Sequence, residues 1–225
     1  MSRIIQIEEK LVVGAAESGH ELLASMVGQY FAEAFGIKGV DSLTVAAQAQ
    51  DLVEWNELVP STLNTGYHTE TNPKQNWDTI ETKFKGFAEK VIYMKRDPKD
   101  CIALLLKRTG VTEVTDQIIV DEVARIKTMK IRLDKLGTEY TTVDFDYFVE
   151  HPHIVLTKAI HMLKPIEEMK ISHAIIDKVV DQSQIRGLRF GANESPLMER
   201  VGSYSEIITR EHALLIDQLA TEAGL

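Results

Sequence analysis

One short stretch constrains the fold of this chain more than any other. The apolar run Val91-Ile-Tyr-Met94 breaks into the charged turn Lys95-Arg96-Asp97, and Pro98 then opens a segment of helical character, Cys101 to Arg108. Proline suits a first helical turn, because its missing N–H would have no partner there. The pattern predicts a buried strand that delivers Arg96 to its C-terminal end, at the mouth of a helix. In open α/β sheets ligands bind at that edge.

The same order of strand, turn and helix recurs along the chain. Lys10–Ala16 reads as a strand, Glu17-Ser18-Gly19-His20 as a turn, and Glu21–Phe35 as a helix closed by Gly36. That helix carries Leu22, Leu23, Met26, Val27, Tyr30 and Phe31 at helical spacing. Ser42–Ala47 has strand character, Asp51–Leu58 reads as a short helix, and Ser61–Glu70 as a strand with His68 near its end. Asn72-Pro73 marks a loop before an amphipathic helix over 76–87. Thr115–Leu136 predicts a long amphipathic helix, Glu139–Phe145 a β-branched and aromatic strand, and Asp146–Pro152 a turn. Helices follow at His153–Leu163, at about Ile166–Ile185 and at Ser205–Ala223, with a mobile loop expected over 186–200.

Strands that alternate with helices predict a three-layer α/β architecture around a mainly parallel sheet of about four or five strands. The 225 residues hold one such domain. A net charge of −9 argues against a nucleic-acid backbone as the main partner. The single cysteine, Cys101, rules out an intrachain disulfide framework and fits a reducing compartment. No apolar run approaches the roughly 18 residues of a membrane span. A cytoplasmic protein without a membrane partner is the expectation.

Four pieces, in this order, resemble the sulfotransferase family, whose fold is P-loop-like. Val13-Gly-Ala-Ala-Glu-Ser-Gly-His-Glu-Leu-Leu23 is similar to the family's strand–loop–helix around the 5′-phosphate of the sulfate donor PAPS. His68, after a strand, stands where the family often has its catalytic histidine. Arg96-Asp-Pro-Lys-Asp100 is close to the family's Arg-Asn/Asp-Pro-x-Asp signature for the donor's 3′-phosphate. Arg200-Val-Gly-Ser-Tyr-Ser-Glu-Ile-Ile-Thr209 looks like the family's C-terminal Gly-x-Trp-x-x-x-Leu-Thr segment, with Tyr204 in place of the tryptophan. Between the last two, Tyr140–Pro152 resembles the strand and turn that follow the family's long helix.

The resemblance implies a PAPS-dependent transferase acting on an unidentified hydroxyl or amine acceptor. It implies donor binding by Glu17, Ser18, Gly19, His20, Arg96, Arg200 and Gly202, with His68 as the base and Glu70 as its substitute. Several positions depart from the family pattern. Glu17 stands where Lys or Arg is usual, His20-Glu21 where Thr-Thr is common, and Leu104 where a serine follows the arginine signature. An acidic side chain beside a phosphate costs on the order of 1 kcal/mol or more.

An imidazole titrating near neutral pH suits His68 to proton abstraction. The plain alternative is a hydrogen-bonded loop histidine. Arg96 would hold a phosphate by charge-assisted bonds; its alternative is a salt bridge to Asp97 or Asp100, and Asp100 itself would structure the turn or cap the helix. Ser18, Gly19 and His20 would offer backbone N–H groups to an anion, with the His20 ring fractionally charged at pH 7. Arg186, Arg189 and Arg200 would close over it. Two other classes stay open. A P-loop kinase or other nucleotide-binding transferase is suggested by the glycine spacing of Gly14 to Gly19, though the Lys and Ser/Thr of such loops are missing. A catalytically silent binding or structural subunit is suggested by the departures.

Overall fold

The computed structural model describes residues 11–34, 61–64, 91–137, 139–163, 169–183, 185 and 202–225. The side chains of Leu11, Ser203 and residues 61–64 lie outside that description. The expected elements at 42–47, 51–58 and 76–87, the loop 186–200, and the residues His68, Glu70 and Arg200 fall outside it too.

Four strands form one parallel sheet: β1 (Leu11–Gly14), β2 (Ser61–Asn64), β3 (Val91–Lys95) and β4 (Thr141–Asp144). Their spatial order is β2-β1-β3-β4. Val12 registers with Thr62 on one side and Ile92 on the other, and Lys95 registers with Asp144. The chain therefore steps from β1 outward to β2, returns past β1, and continues to β3 and β4. The direction of winding reverses between β1 and β3.

Side-chain alternation along the strands builds two cores. Val12, Ile92 and Met94 face α1 (His20–Ala34), α4 (Phe145–Glu150), α5 (Pro152–Leu163) and α6 (His173–Ser183). Val13, Val91 and Tyr93 face α2 (Pro98–Thr109), α3 (Asp116–Asp134) and α7 (Arg210–Ala223). Strands covered on both faces need apolar residues at successive positions, which is why Val91 to Met94 reads as an unbroken run. The helix after β1 and the helix after β3 thus leave for opposite faces. Their departure opens a crevice between the two strand ends, the site that doubly wound sheets use for ligands.

Local chemistry sets the element ends, and here several expectations shift. Pro98 occupies the first turn of α2, and the Asp97 carboxylate accepts from the Lys99 N–H at 2.8 Å, so the helix starts before Cys101. Gly110, at φ 71°, ends it in the left-handed conformation that glycine adopts without strain. The predicted turn 146–152 is largely a short helix, because Asp144 caps it by accepting from Asp146 N and Tyr147 N. The helix expected from about Ile166 starts at His173. The C-terminal helix expected from Ser205 divides into a 3-10 turn (Ser203–Glu206) and α7, whose start is fixed by Thr209 accepting from His212 N at 3.2 Å. Among the described residues no helix is long and apolar enough to cross a membrane.

Candidate functional site

The loop after β1 is folded tightly. Ser18 N–H donates to the Ala15 carbonyl at 3.1 Å, so this N–H serves the turn and is not held out to a ligand as expected. The loop needs two left-handed residues: Gly19 at φ 92°, where glycine is at ease, and Glu17 at φ 64°, where a side chain costs energy. Gly14 lies under the loop. A Cβ there would sit 2.0 Å from Ser18 Oγ and 3.1 Å from the Met94 carbonyl oxygen. Only glycine lets the strand end and the loop approach so closely.

His20 begins α1 and is buried, with its Nδ1 3.1 Å from Ser18 Oγ. Burial lowers its pKa to about 4, opposed weakly by Glu21. The ring is therefore neutral at pH 7, which corrects the expectation of a fractional charge. Among the described residues its buried Nε2 has no hydrogen-bond partner. If Ser18 donates to Nδ1, Nε2 carries an unused proton; if Ser18 accepts from Nδ1, Nε2 carries an unused lone pair.

Arg96 comes to this loop from the neighbouring strand, as the register of β1 and β3 requires. Its guanidinium is buried, and Nη1 donates to the Glu17 carbonyl at 3.0 Å. Nη2 lies 3.7 Å from Asp100 Oδ2, and Cζ stands 4.3 Å from the centroid of the Phe145 ring. The expected alternatives for Arg96 were a ligand and a salt bridge; the geometry contains the salt bridge to Asp100.

Asp100 does more than structure its turn. Its two carboxylate oxygens accept from Gly202 N at 2.8 Å and Tyr204 N at 3.3 Å. One buried carboxylate thereby fastens the segment that begins at Gly202 to the first turn of α2, beside Arg96. Lys99 adds to the junction: it pairs with Asp217 of α7 at 2.5 Å and stands 5.4 Å from the Tyr204 ring centroid. An open groove of about 410 Å³ runs beside Arg96, and its lining includes Lys95, Lys99, Asp144, Asp146 and Asp217. Cys101 lies close by but is chemically quiet, since burial pushes its thiol up to about 12.

Glu17 carries the other notable contact. Its Oε1 lies 2.5 Å from Nη1 of Arg108, near the end of α2. Burial raises the Glu17 pKa, and Arg108 partly offsets that effect. Sequence reading passed over Arg108. The available signal was its position four residues after Leu104, which puts both on one helical face. Phe145, the platform under Arg96, was read as the end of a strand.

The fold and this crevice define a class: a doubly wound, sulfotransferase-like α/β protein. No family model matches the sequence, and no curated protein matches it. Among solved structures the chain is similar to the crystal structure of mouse sulfotransferase SULT7A1 complexed with PAP. The similarity has a TM-score of 0.51 at 13% sequence identity and covers 96% of this chain and 83% of the mouse protein. At that identity the likeness establishes the fold alone.

Proposed function

We propose that this protein binds a 3′-phosphorylated adenosine nucleotide of the PAPS type in the β1–β3 crevice and transfers its sulfuryl group to a hydroxyl or amine acceptor. The observation that carries this reading is the convergence of Arg96, the 15–19 loop and the Gly202–Tyr204 segment at one sheet edge. The three pieces lie far apart in sequence, and each was picked out by the same resemblance. The structural likeness to a sulfotransferase complexed with PAP supports it.

The residues suit an anion. A buried guanidinium stands at the strand end, and among the described residues the buried Nε2 of His20 lacks a hydrogen-bond partner. PAPS, when bound, supplies the sulfuryl group to be transferred. In this reading Arg96, with Arg200, offsets negative charge on the nucleotide, while Ser18, Gly19, His20 and Gly202 line its path and Glu17 opposes it. His68 takes the acceptor's proton, and Glu70 is the substitute base. The acceptor-facing surface is formed by the loops, which carry specificity in such folds.

Calorimetry with PAP tests the reading. Weak but measurable binding is expected, reduced about tenfold to over a hundredfold in Arg96→Ala, because removing one partner of a charged hydrogen bond costs about 1.5–3 kcal/mol. Arg200→Ala reduces binding strongly, and Glu17→Lys tightens it. A second reading is favoured by one observation: Arg96 already has internal partners in Glu17 and Asp100. A catalytically silent binding subunit would keep that arrangement for stability alone. Failure of both the wild type and Glu17→Lys to bind PAP at millimolar concentration would decide for it.

A further inference from the structure

We infer that Arg108 is a phosphate-binding residue of the crevice, and that the Glu17 carboxylate is the built-in competitor a ligand must displace from it. The inference deepens the proposed nucleotide site and rests on it.

The ion pair has the marks of an occupied site more than of a structural brace. The Glu17 side chain is 10% exposed, whereas Arg108 is 50% exposed on the crevice rim. A carboxylate taken out of water is incompletely compensated here, although half-solvated Arg108 and, more weakly, Arg96 favour its charge. Its raised pKa records that imbalance, and Glu21 adds repulsion. Nor is Glu17 suited to its backbone: at φ 64° glycine or asparagine would serve with less strain. What the glutamate contributes is a negative group at the end of a loop, lying between two guanidinium groups. Arg96 takes its carbonyl oxygen and Arg108 its carboxylate.

Anionic oxygen is what an arginine fork recognises, and a phosphate presents more of it than a carboxylate does. Leu104 cannot donate a hydrogen bond, and Arg108 stands one turn further along the same face of α2. The long arginine side chain reaches from that turn to the β1–α1 loop, where it meets Glu17. A phosphate entering the loop would compete with Glu17 for the Arg108 fork, and the freed carboxylate would turn toward solvent.

Four proteins test this by calorimetry: wild type, Glu17→Gln, Arg108→Ala, and the double variant, each titrated with PAP and, separately, with inorganic pyrophosphate. Glu17→Gln is expected to tighten binding about tenfold or more, since it frees a charged donor. Arg108→Ala alone changes affinity little, because Glu17 already occupies that arginine. In the double variant the gain from Glu17→Gln disappears. Thermal melts without ligand confirm that all four fold. Equal tightening by Glu17→Gln with and without Arg108 would overturn the inference while leaving the nucleotide site standing. The non-additive pattern with pyrophosphate, but no PAP binding, would keep the inference and remove the nucleotide reading. Binding of neither anion by any variant would end both.

Discussion

Two strand-to-helix turns sit side by side at the same sheet edge and are built on different terms. The turn from β3 to α2 is held by polar contacts that cap its helix and tie down a distant segment. Asp97 caps the helix, Pro98 fills its first turn, and Asp100 satisfies two backbone N–H groups of the C-terminal segment. The loop from β1 to α1 holds a glutamate in a left-handed conformation whose carboxylate is desolvated and, among the described residues, a buried histidine nitrogen without a hydrogen-bond partner. Turns built for stability satisfy their polar groups, while strain and unmatched polarity concentrate where a ligand completes the structure. In the proposed reading the β3–α2 turn is the firmer support that presents Arg96, and the β1–α1 loop is the surface that a ligand completes.

The sharpest way to break this contrast is Asp100→Ala. It leaves the Arg96 guanidinium buried without its nearby carboxylate and releases Gly202 and Tyr204. A loss of about 3–5 kcal/mol is expected in denaturant unfolding. Hydrogen exchange should show the 202–206 segment opening first. Unchanged stability would mean that the β3–α2 turn is not the scaffold.

Next comes the pH dependence of the receiving loop. The folded His20 pKa, lowered to about 4, lies below its ordinary 6.5. Between those values the unfolded chain binds a proton that the folded chain refuses. Stability due to His20 is therefore complete above pH 6.5 and is lost as the pH falls toward 4, by about 3 kcal/mol in total. His20→Asn keeps a polar partner for Ser18 and does not titrate. The difference between the two proteins across this window isolates the effect, and parallel pH profiles would contradict it.

Gly14→Ala tests how closely the loop is laid on the strand. The added Cβ collides with Ser18 Oγ and crowds the Met94 carbonyl. Overpacking of this kind costs about 1–3 kcal/mol. Adding Ser18→Gly should recover part of the lost melting temperature, since it clears the closer of the two contacts.

The smallest effect belongs to Glu17→Gln. Because the folded Glu17 pKa is raised above the ordinary 4.5, the carboxylate is held ionised at a cost that grows as the pH rises. Replacing it should stabilise the protein slightly at pH 8, by less than about 1 kcal/mol given the exposure of Arg108. The gain should vanish below pH 4.5, where the wild-type side chain is neutral in both states. Destabilisation at pH 8 would make the ion pair a brace and weaken the contrast between the two turns.

Much of the framework was legible in the chain itself. The unbroken run at 91–94 announced a strand buried on both faces, and Pro98 announced the helix start. The spacing of Leu22 to Phe31 announced a buried helix face, and the alternation of elements announced the parallel sheet. These features are local: each depends on the backbone preference of a few residues and on a periodicity that water imposes. Element ends were less legible, because side-chain caps set them. Asp144 turned a predicted turn into a helix, and Thr209 divided the final helix from the 3-10 turn before it.

The site divides in the same way. The resemblance to the sulfotransferase family pointed to Arg96, to the loop at 17–20 and to the segment at Gly202, and the strand-then-helix order predicted that the loop and Arg96 meet in one crevice. That Arg96 donates to Glu17, that Asp100 holds Gly202 and Tyr204, and that Arg108 pairs with Glu17 was decided only by the tertiary structure. Those contacts join residues far apart in sequence, so no local pattern encodes them. They follow from the strand order β2-β1-β3-β4, which sets the ends of β1 and β3 side by side and sends their helices to opposite faces. The charge state of His20 belongs here too. Its sequence neighbours suggest an ordinary imidazole, and only burial in the folded protein removes the water that would let it hold a proton.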